Sequence, residues 1–375
     1  MTNTPEIVLP DEIRPKDGRF GSGPSRVRPE GIAALAAEAP NLMGTSHRQA
    51  PVRFLVSRLR NGLAEMFSLP DGHEVILGNG GTTIFWDAAL FGLIDSRSQH
   101  LDFGEFSGKF AKAVATAPHL AGPDIITVDP GTRPSPVAVA GIDAYALTHN
   151  ETTTGVFMPI ERPQGADDGA LVLVDATSAA GGIRFDPSES DCYYFAPQKV
   201  LGSDGGLWIA AVSPAAIERI ESIAASDRWI PQSLNLKTAL DNSRKDQTNN
   251  TPALATIFLA VELVEWINEN GGMEFAAGRC DSSAATLYGW AEASDFATPF
   301  VEIPEHRSTT VATIDLDDRL AADTVNAVLR ANGIVDTSGY RKLGRNQLRI
   351  AMFPAIDPSD IEAFTMCLDY IAERI

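Results

Sequence analysis

Residues Asp191 to Leu207 read DCYYFAPQKVLGSDGGL, and the rest of the chain can be read outward from them. The run Cys192 to Ala196 is short, apolar and aromatic, which predicts a buried strand. Pro197 closes it, and Gly202, Gly205 and Gly206 allow the backbone to turn sharply afterwards. Lys199 then stands at a strand exit among apolar neighbours. Desolvation disfavours an ammonium, so such a setting lowers a lysine pKa. A neutral amine can attack an aldehyde and form a Schiff base. On this stretch alone, a solvated lysine on a surface loop fits as well.

The chain has 375 residues, enough for two domains with a sizeable core. Hydrophobic content of 44% and charged content of 21% are those of an ordinary globular protein. No apolar run is long enough to predict a spanning helix. The opening residues, MTNTPEIVLPDEIRPKDG, show no signal-peptide pattern. Cys192, Cys280 and Cys367 are widely spaced, which fits reduced thiols in the cytoplasm and gives no metal-binding pattern.

The net charge of −19 argues against a nucleic-acid partner or an anionic membrane surface. The cations are nevertheless clustered. Asn41 to Ala64 holds no acid but carries His47, Arg48, Arg53, Arg58 and Arg60; Thr337 to Ile356 holds no acid but carries Arg341, Lys342, Arg345 and Arg349. Acid-free windows in so acidic a chain suggest local anion sites. Arg53, Arg58 and Arg60 have helical spacing in VRFLVSRLRNGLAEMF and read as a solvated helix face.

Further along, Glu74 to Leu77 predicts a strand that runs into GNGGTT and then the apolar helix TIFWDAALFGLI. Strand, glycine turn and helix N-terminus make a phosphate cradle, with the hydroxyls of Thr82 and Thr83 as added donors. The segment matches neither a Walker loop nor the dinucleotide fingerprint. FGSGP, Phe20 to Pro24, is a turn-rich loop whose glycines suit a close backbone approach. Phe106 follows the strand His100 to Phe103, at the ligand side of a doubly wound sheet, although a core aromatic is the default there. The strand Tyr145 to His149 ends in HNETTTG, where Asn150 and Thr152 could meet a ligand. The buried strand Ala170 to Ala176 ends on Asp175, which needs a cationic partner or a protonated nitrogen unless it caps a following helix.

Alternating short strands and helices up to about residue 225 predict a mostly parallel α/β sheet. Asp241 to Asn250 is polar and reads as a loop, and Thr251-Pro252 starts a long helix to about Asn268. Gly271-Gly272 breaks it, which divides the chain into a large domain, 19–268, and a smaller α+β domain, 269–375, with residues 1–18 joined to the latter.

A phosphate cradle, an aromatic at a strand exit, an acid closing a buried strand and a lysine after it are the parts that pyridoxal phosphate needs. Backbone donors take its phosphate, and a flat side chain stacks on its ring. An acid keeps the ring nitrogen protonated, and the lysine takes the aldehyde. With these motifs the chain resembles the phosphoserine aminotransferases, class V members of the type I (aspartate-aminotransferase-like) fold, in their actinobacterial form, over nearly its whole length. The resemblance implies pyridoxal 5'-phosphate as cofactor, with Lys199 bonded to it and Asp175 on its ring nitrogen. Phe106 would stack on the ring, Thr82, Thr83 and Gln198 would hold the phosphate, and Thr152 would touch the cofactor. The resemblance further implies a homodimer in which Asn250 and Thr251 complete the partner's phosphate site. His47 and Arg48 would bind the distal anion and Arg349 the α-carboxylate, with Gly21 to Pro24 beside the substrate. The implied substrates are glutamate and 3-phosphohydroxypyruvate. Relatives also act on 4-phosphohydroxythreonine in vitamin B6 synthesis, and the residues leave that choice open.

Three positions depart from the family pattern: Phe106 stands where many relatives have Trp, Thr82-Thr83 where many have Arg, and Tyr340-Arg341 where many have His-Arg. The last leaves both Arg341 and Arg345 as candidates for the substrate phosphate. Rival readings are an alanine–glyoxylate aminotransferase, a cysteine desulfurase and a non-catalytic nucleotide-phosphate binding module. A desulfurase needs a mobile reactive cysteine, and small substrates do not need two windows of cations.

Overall fold

The computed structural model describes residues 6–375; residues 1–5, joined above to the small domain, lie outside the described residues. Seven strands form the main sheet. Across it the order is Glu74–Asn79, Leu207–Val212, Cys192–Phe195, Leu171–Asp175, Ala144–Thr148, Ser98–Asp102 and Asp124–Thr127. Leu207–Val212 runs antiparallel to both its neighbours, and every other pairing is parallel. The parallel strands therefore release their C-terminal ends on one side. Thr148, Asp175 and Tyr194 lie in register there.

The central strands are buried along their whole length, as near-continuous apolar runs require. Their side chains alternate between two cores. Leu171, Leu173 and Tyr194 pack with Phe85, Trp86 and Phe110 of the helices Thr82–Gly92 and Glu105–Ala115. Val172, Val174 and Tyr193 pack on the other face with Leu59, Leu63, Ile257 and Val261 of the helices Ala50–Met66 and Leu254–Glu269. Tyr193 stacks on Phe185 at 3.9 Å, and Tyr194 on Phe85 at 4.4 Å.

A second sheet is antiparallel, in the order Ala297–Pro299, Val311–Leu316 and Gln347–Ala351. The helices Gly272–Ala293, Ala322–Ala331 and Pro358–Ala372 cover it. Its core gathers residues from both ends of the sequence, among them Leu9, Phe20, Leu287, Ile314 and Phe364.

Three local expectations change. Asp241 to Asn250 is not wholly a loop, because the helix Leu236–Ser243 reaches into it. Leu236, Ala239, Leu240 and Ser243 give that helix a buried face, and Asn235 caps it by accepting the Thr238 N–H at 3.1 Å; its polar outer face masked the pattern. The long helix begins at Leu254, after Pro252. HNETTTG folds as a small hairpin, Asn150–Glu151 against Val156–Phe157, turning through Gly155 at φ +70°. Among the described residues, no helix is long and apolar enough to cross a membrane.

Candidate active site

A cavity of about 530 Å³ opens at the C-terminal ends of the parallel strands, lined by Thr82, Thr83, Phe106, Thr152, Asp175, Gln198 and Lys199 among others. The turn after Cys192–Phe195 presents the lysine. Ser203 N–H donates to the Pro197 carbonyl at 3.1 Å and Gly202 N–H to that of Lys199 at 3.0 Å. The N-terminal glycine segment clamps this turn from outside: Ser25 N–H donates to the Gln198 carbonyl at 2.9 Å, and Ser25 Oγ donates to that of Lys199. Gly23 lies against the lysine stem, where a Cβ would come within 2.8 Å of Lys199 Cε, and its φ is +144°. FGSGP is thus a wall of the cavity.

Lys199 is 8% exposed, which excludes the surface-loop reading. Its Nζ donates to Thr152 Oγ1 at 2.8 Å and sits 4.8 Å from the centre of the Phe106 ring. Burial lowers its pKa to about 8, against the pull of the Asp175 and Glu151 carboxylates and with the help of Arg349. Roughly a tenth is therefore the free amine at pH 7, far more than for an ordinary lysine.

Asp175 is also buried. Its Oδ1 accepts from Thr177 N at 3.0 Å and Thr177 Oγ1 at 2.6 Å, and its Oδ2 from Trp86 Nε1 at 3.0 Å. Burial pushes this carboxyl's pKa up, and the Thr177 and Trp86 donors pull it back. Turns rather than a helix follow it, so the helix-cap alternative does not hold.

The helix Thr82–Gly92 points its N-terminus into the cavity. Gly81 is its N-cap, without a capping side chain, and Gly80 turns at φ +114°. The first amides of such a helix have no intrahelical acceptor. A Cβ on Gly81 or Gly205 would meet nothing within 4 Å, so the cradle is open. Thr82 Oγ1 lies 2.8 Å from Thr177 Oγ1. The buried oxygens Gln198 Oε1 and Asn150 Oδ1 have no partner among the described residues.

Phe106 is half-buried at the start of the helix Glu105–Ala115. Fully buried Glu151 fixes that start. Its Oε2 accepts from the backbone of Phe106 at 3.1 Å and Ser107 at 2.9 Å, and its Oε1 from Thr153 Oγ1 at 2.7 Å. The sequence reading picked out Asn150 and Thr152 on either side and missed Glu151. It also missed Trp86, Thr177 and Ser178; Ser178 Oγ accepts from both Asn150 and Thr152 at 2.8 Å. An acid inside a run of threonines was the available signal for Glu151. An indole in an apolar helix gave none.

Arg349 projects from the small sheet into an adjoining cavity walled by Gly21 to Ser25, Ser338 and Gly339. Its guanidinium lies 5.5 Å from the Tyr340 ring, and its buried Nε has no partner among the described residues. Burial lowers its pKa. Arg345 is engaged elsewhere, paired with Asp315 and 4.5 Å over Phe300. Arg341 stays exposed in the turn Arg341–Leu343, beside Lys342, which bonds to Glu105 at the start of the Phe106 helix.

Four residues singled out from the sequence do not join this cavity within one chain. His47 Nδ1 is 3.5 Å from Thr251 Oγ1, and the Thr251 carbonyl accepts from Asn79 Nδ2 at 3.0 Å, just before the cradle. Asn250 and Arg48 are exposed beside them. The next arginines share one helix but are tied to neighbouring elements rather than solvated: Arg58 pairs with Glu265, Arg60 with Asp246, and Arg53 donates to the Lys245 carbonyl. All three cysteines are buried outside the cavity, unlike a desulfurase nucleophile.

The family model of class V aminotransferases matches residues 140–364. The chain is 58% identical over 373 residues to phosphoserine aminotransferase from a Nocardioides species, covering 99% of this chain and 100% of that one. Among solved structures, it resembles a phosphoserine aminotransferase from Cytophaga hutchinsonii with TM-score 0.85 and 24% identity, covering 95% of this chain and 98% of the other. A phosphoserine aminotransferase from Bacillus circulans subsp. alkalophilus gives TM-score 0.82 at 20% identity, covering 96% and 99%.

Proposed function

The chain belongs to the class V aminotransferase family, and on that premise we propose that it exchanges an amino group between glutamate and 3-phosphohydroxypyruvate, giving 2-oxoglutarate and O-phosphoserine. Its cofactor is pyridoxal 5'-phosphate. The observation that carries the reading is a buried, partly neutral lysine amine and a buried carboxylate facing one cavity, with a helix N-terminus open to it.

The residues suit that cofactor. The first turn at Thr82 and Thr83 offers its amides and the Thr83 hydroxyl to a phosphate, with Gln198 beside it. The free acceptor position on Asp175 suits a ring N–H, and Phe106 offers a flat face. When bound, the cofactor supplies an aldehyde carbon and an electron-withdrawing ring.

The rest of the chemistry is assigned to side chains. Lys199 Nζ accepts the substrate α-proton and returns it, as a base with a pKa of about 8 can do at neutral pH. Thr152 Oγ1 orients that nitrogen. Arg349 takes the α-carboxylate in its fork, pairing its orphaned Nε. The second anion of either substrate, carboxylate or phosphate, falls to Arg341 and to His47 and Arg48. An arginine fork fits both groups, so one pocket can serve two substrates. His47, Arg48, Asn250 and Thr251 act on the cavity of a second copy, which makes the working unit a homodimer. The enzyme works in the cytoplasm.

The test is a half-reaction. Adding O-phosphoserine or glutamate to the cofactor-loaded protein should convert its visible absorbance to the amine form, whereas alanine should not. Conversion by alanine alone would move the protein to the alanine–glyoxylate reading.

A further inference from the structure

Trp86 has no part in the reading above, yet it lines the cavity and is 4% exposed. We propose that it is a positioning residue for the reaction: its indole N–H holds Asp175 Oδ2 and aims that oxygen's one free lone pair at the cofactor ring nitrogen. This rests on the cavity holding pyridoxal 5'-phosphate.

The argument is a count of donors and acceptors. A carboxylate offers about four lone-pair positions, and an indole offers one donor and no acceptor. Thr177 fills two positions on Asp175 Oδ1 through its N–H and its hydroxyl, and Trp86 fills one on Oδ2. One acceptor position is left, on the oxygen that Trp86 already holds. A ring N–H must approach that oxygen from the side Trp86 leaves open, so the indole fixes its direction and adds to the two Thr177 donors that favour the charged form. Asp175 is 6% exposed, so water does not replace a lost donor cheaply. The indole itself is held flat against Phe110, with centroids 6.0 Å apart and planes 14° from parallel. Its helix begins at the phosphate cradle, so one rigid element serves both ends of the cofactor.

Replacing the indole by a phenyl ring keeps an aromatic side chain, smaller by one ring, and removes the donor. Asp175, which also faces Lys199 and the Tyr193 and Tyr194 hydroxyls, then takes up a proton at higher pH. Binding of the cofactor needs the carboxylate, so the acid limb of binding moves to higher pH. The test titrates apoprotein with pyridoxal 5'-phosphate, following the visible absorbance from acid to neutral pH. Trp86→Phe should bind roughly tenfold more weakly near neutrality, as expected for one hydrogen bond to a charged group, and its acid limb should shift upward. Trp86→His, whose ring N–H can reach the same oxygen, should lie between the two. Benzothienylalanine at position 86 removes only the N–H and covers the case in which Trp86→Phe does not fold. Wild-type affinity and an unmoved acid limb in a folded variant lacking the N–H would overturn the proposal. Equal shifts in the Phe and His variants would do the same, because they would mark loss of packing alone. Failure of the wild-type protein to bind the cofactor would instead overturn the reading of the cavity.

Discussion

Side chains at the inner end of the cavity and at its rim are held in opposite ways. At the inner end Lys199, Asp175 and Thr152 are 8%, 6% and 2% exposed, and each is hydrogen-bonded within the chain. The rim is the one proposed across two copies: Arg48, Asn250, Thr251 and Arg341 are exposed, on loops or a single turn, and lie outside the cavity lining of one chain. Proton transfer needs a desolvated amine at a fixed distance, because its pKa and aim are set by what surrounds it. Capture of a distal anion needs charge and reach, which exposed cations supply. A chain with net charge −19 keeps those cations in two windows without acids, and among the described residues Arg48 and Arg341 form no ion pair, whereas Arg58, Arg60 and Lys342 do. Arg345 illustrates the converse: it shares the second window but faces Asp315 across the small sheet, and it is neutralised there.

The sharpest break of this contrast is Lys199→Ala, which should cut turnover by roughly 10⁴-fold or more in a steady-state assay and abolish the borohydride-reducible visible absorbance. Asp175→Asn comes next: turnover should fall by roughly 10²–10³-fold while circular dichroism stays native. Arg349→Ala should lower kcat/KM for both amino donors by roughly 10–100-fold, the worth of a charge-assisted bond.

Arg48→Ala should raise KM for both substrates by about tenfold and leave cofactor binding unchanged. It also offers a way to sharpen the contrast. Mixing Arg48→Ala subunits with Lys199→Ala subunits should restore activity if rim and inner end meet across a dimer. No recovery would place both in one chain.

The smallest effect concerns pH. Below its pKa of about 8, Lys199 is mainly an ammonium, the form that cannot attack a carbonyl. The rate at which apoprotein takes up pyridoxal 5'-phosphate through this lysine should therefore rise with pH, reach half its maximum near 8 and level off above that. A lysine at the ordinary value of 10.5 would keep gaining well beyond that.

The inner end was largely legible in the sequence, and the rim was not. A buried strand ending on Asp175, the run before Lys199 and the glycine turn before Thr82 are patterns within a few consecutive residues. They predict where each side chain leaves its element, and the parallel sheet then brings all those exits to one side. His47 and Arg48 were recognised as cations without acids nearby, but one chain does not bring them to Lys199.

By itself, then, the sequence determined the alternation of strand and helix, the buried strand that ends on Asp175, the strand exit that carries Lys199, and the helix N-terminus after the glycine turn. Each follows from local periodicity and from the chemistry of one residue type. Tertiary structure alone decided that Trp86 meets Asp175 across 89 positions, that Glu151 anchors the Phe106 turn across 45, and that Asp315 rather than a substrate claims Arg345. Those partners are chosen by which elements the sheet order makes neighbours, and no periodicity in the chain records that order.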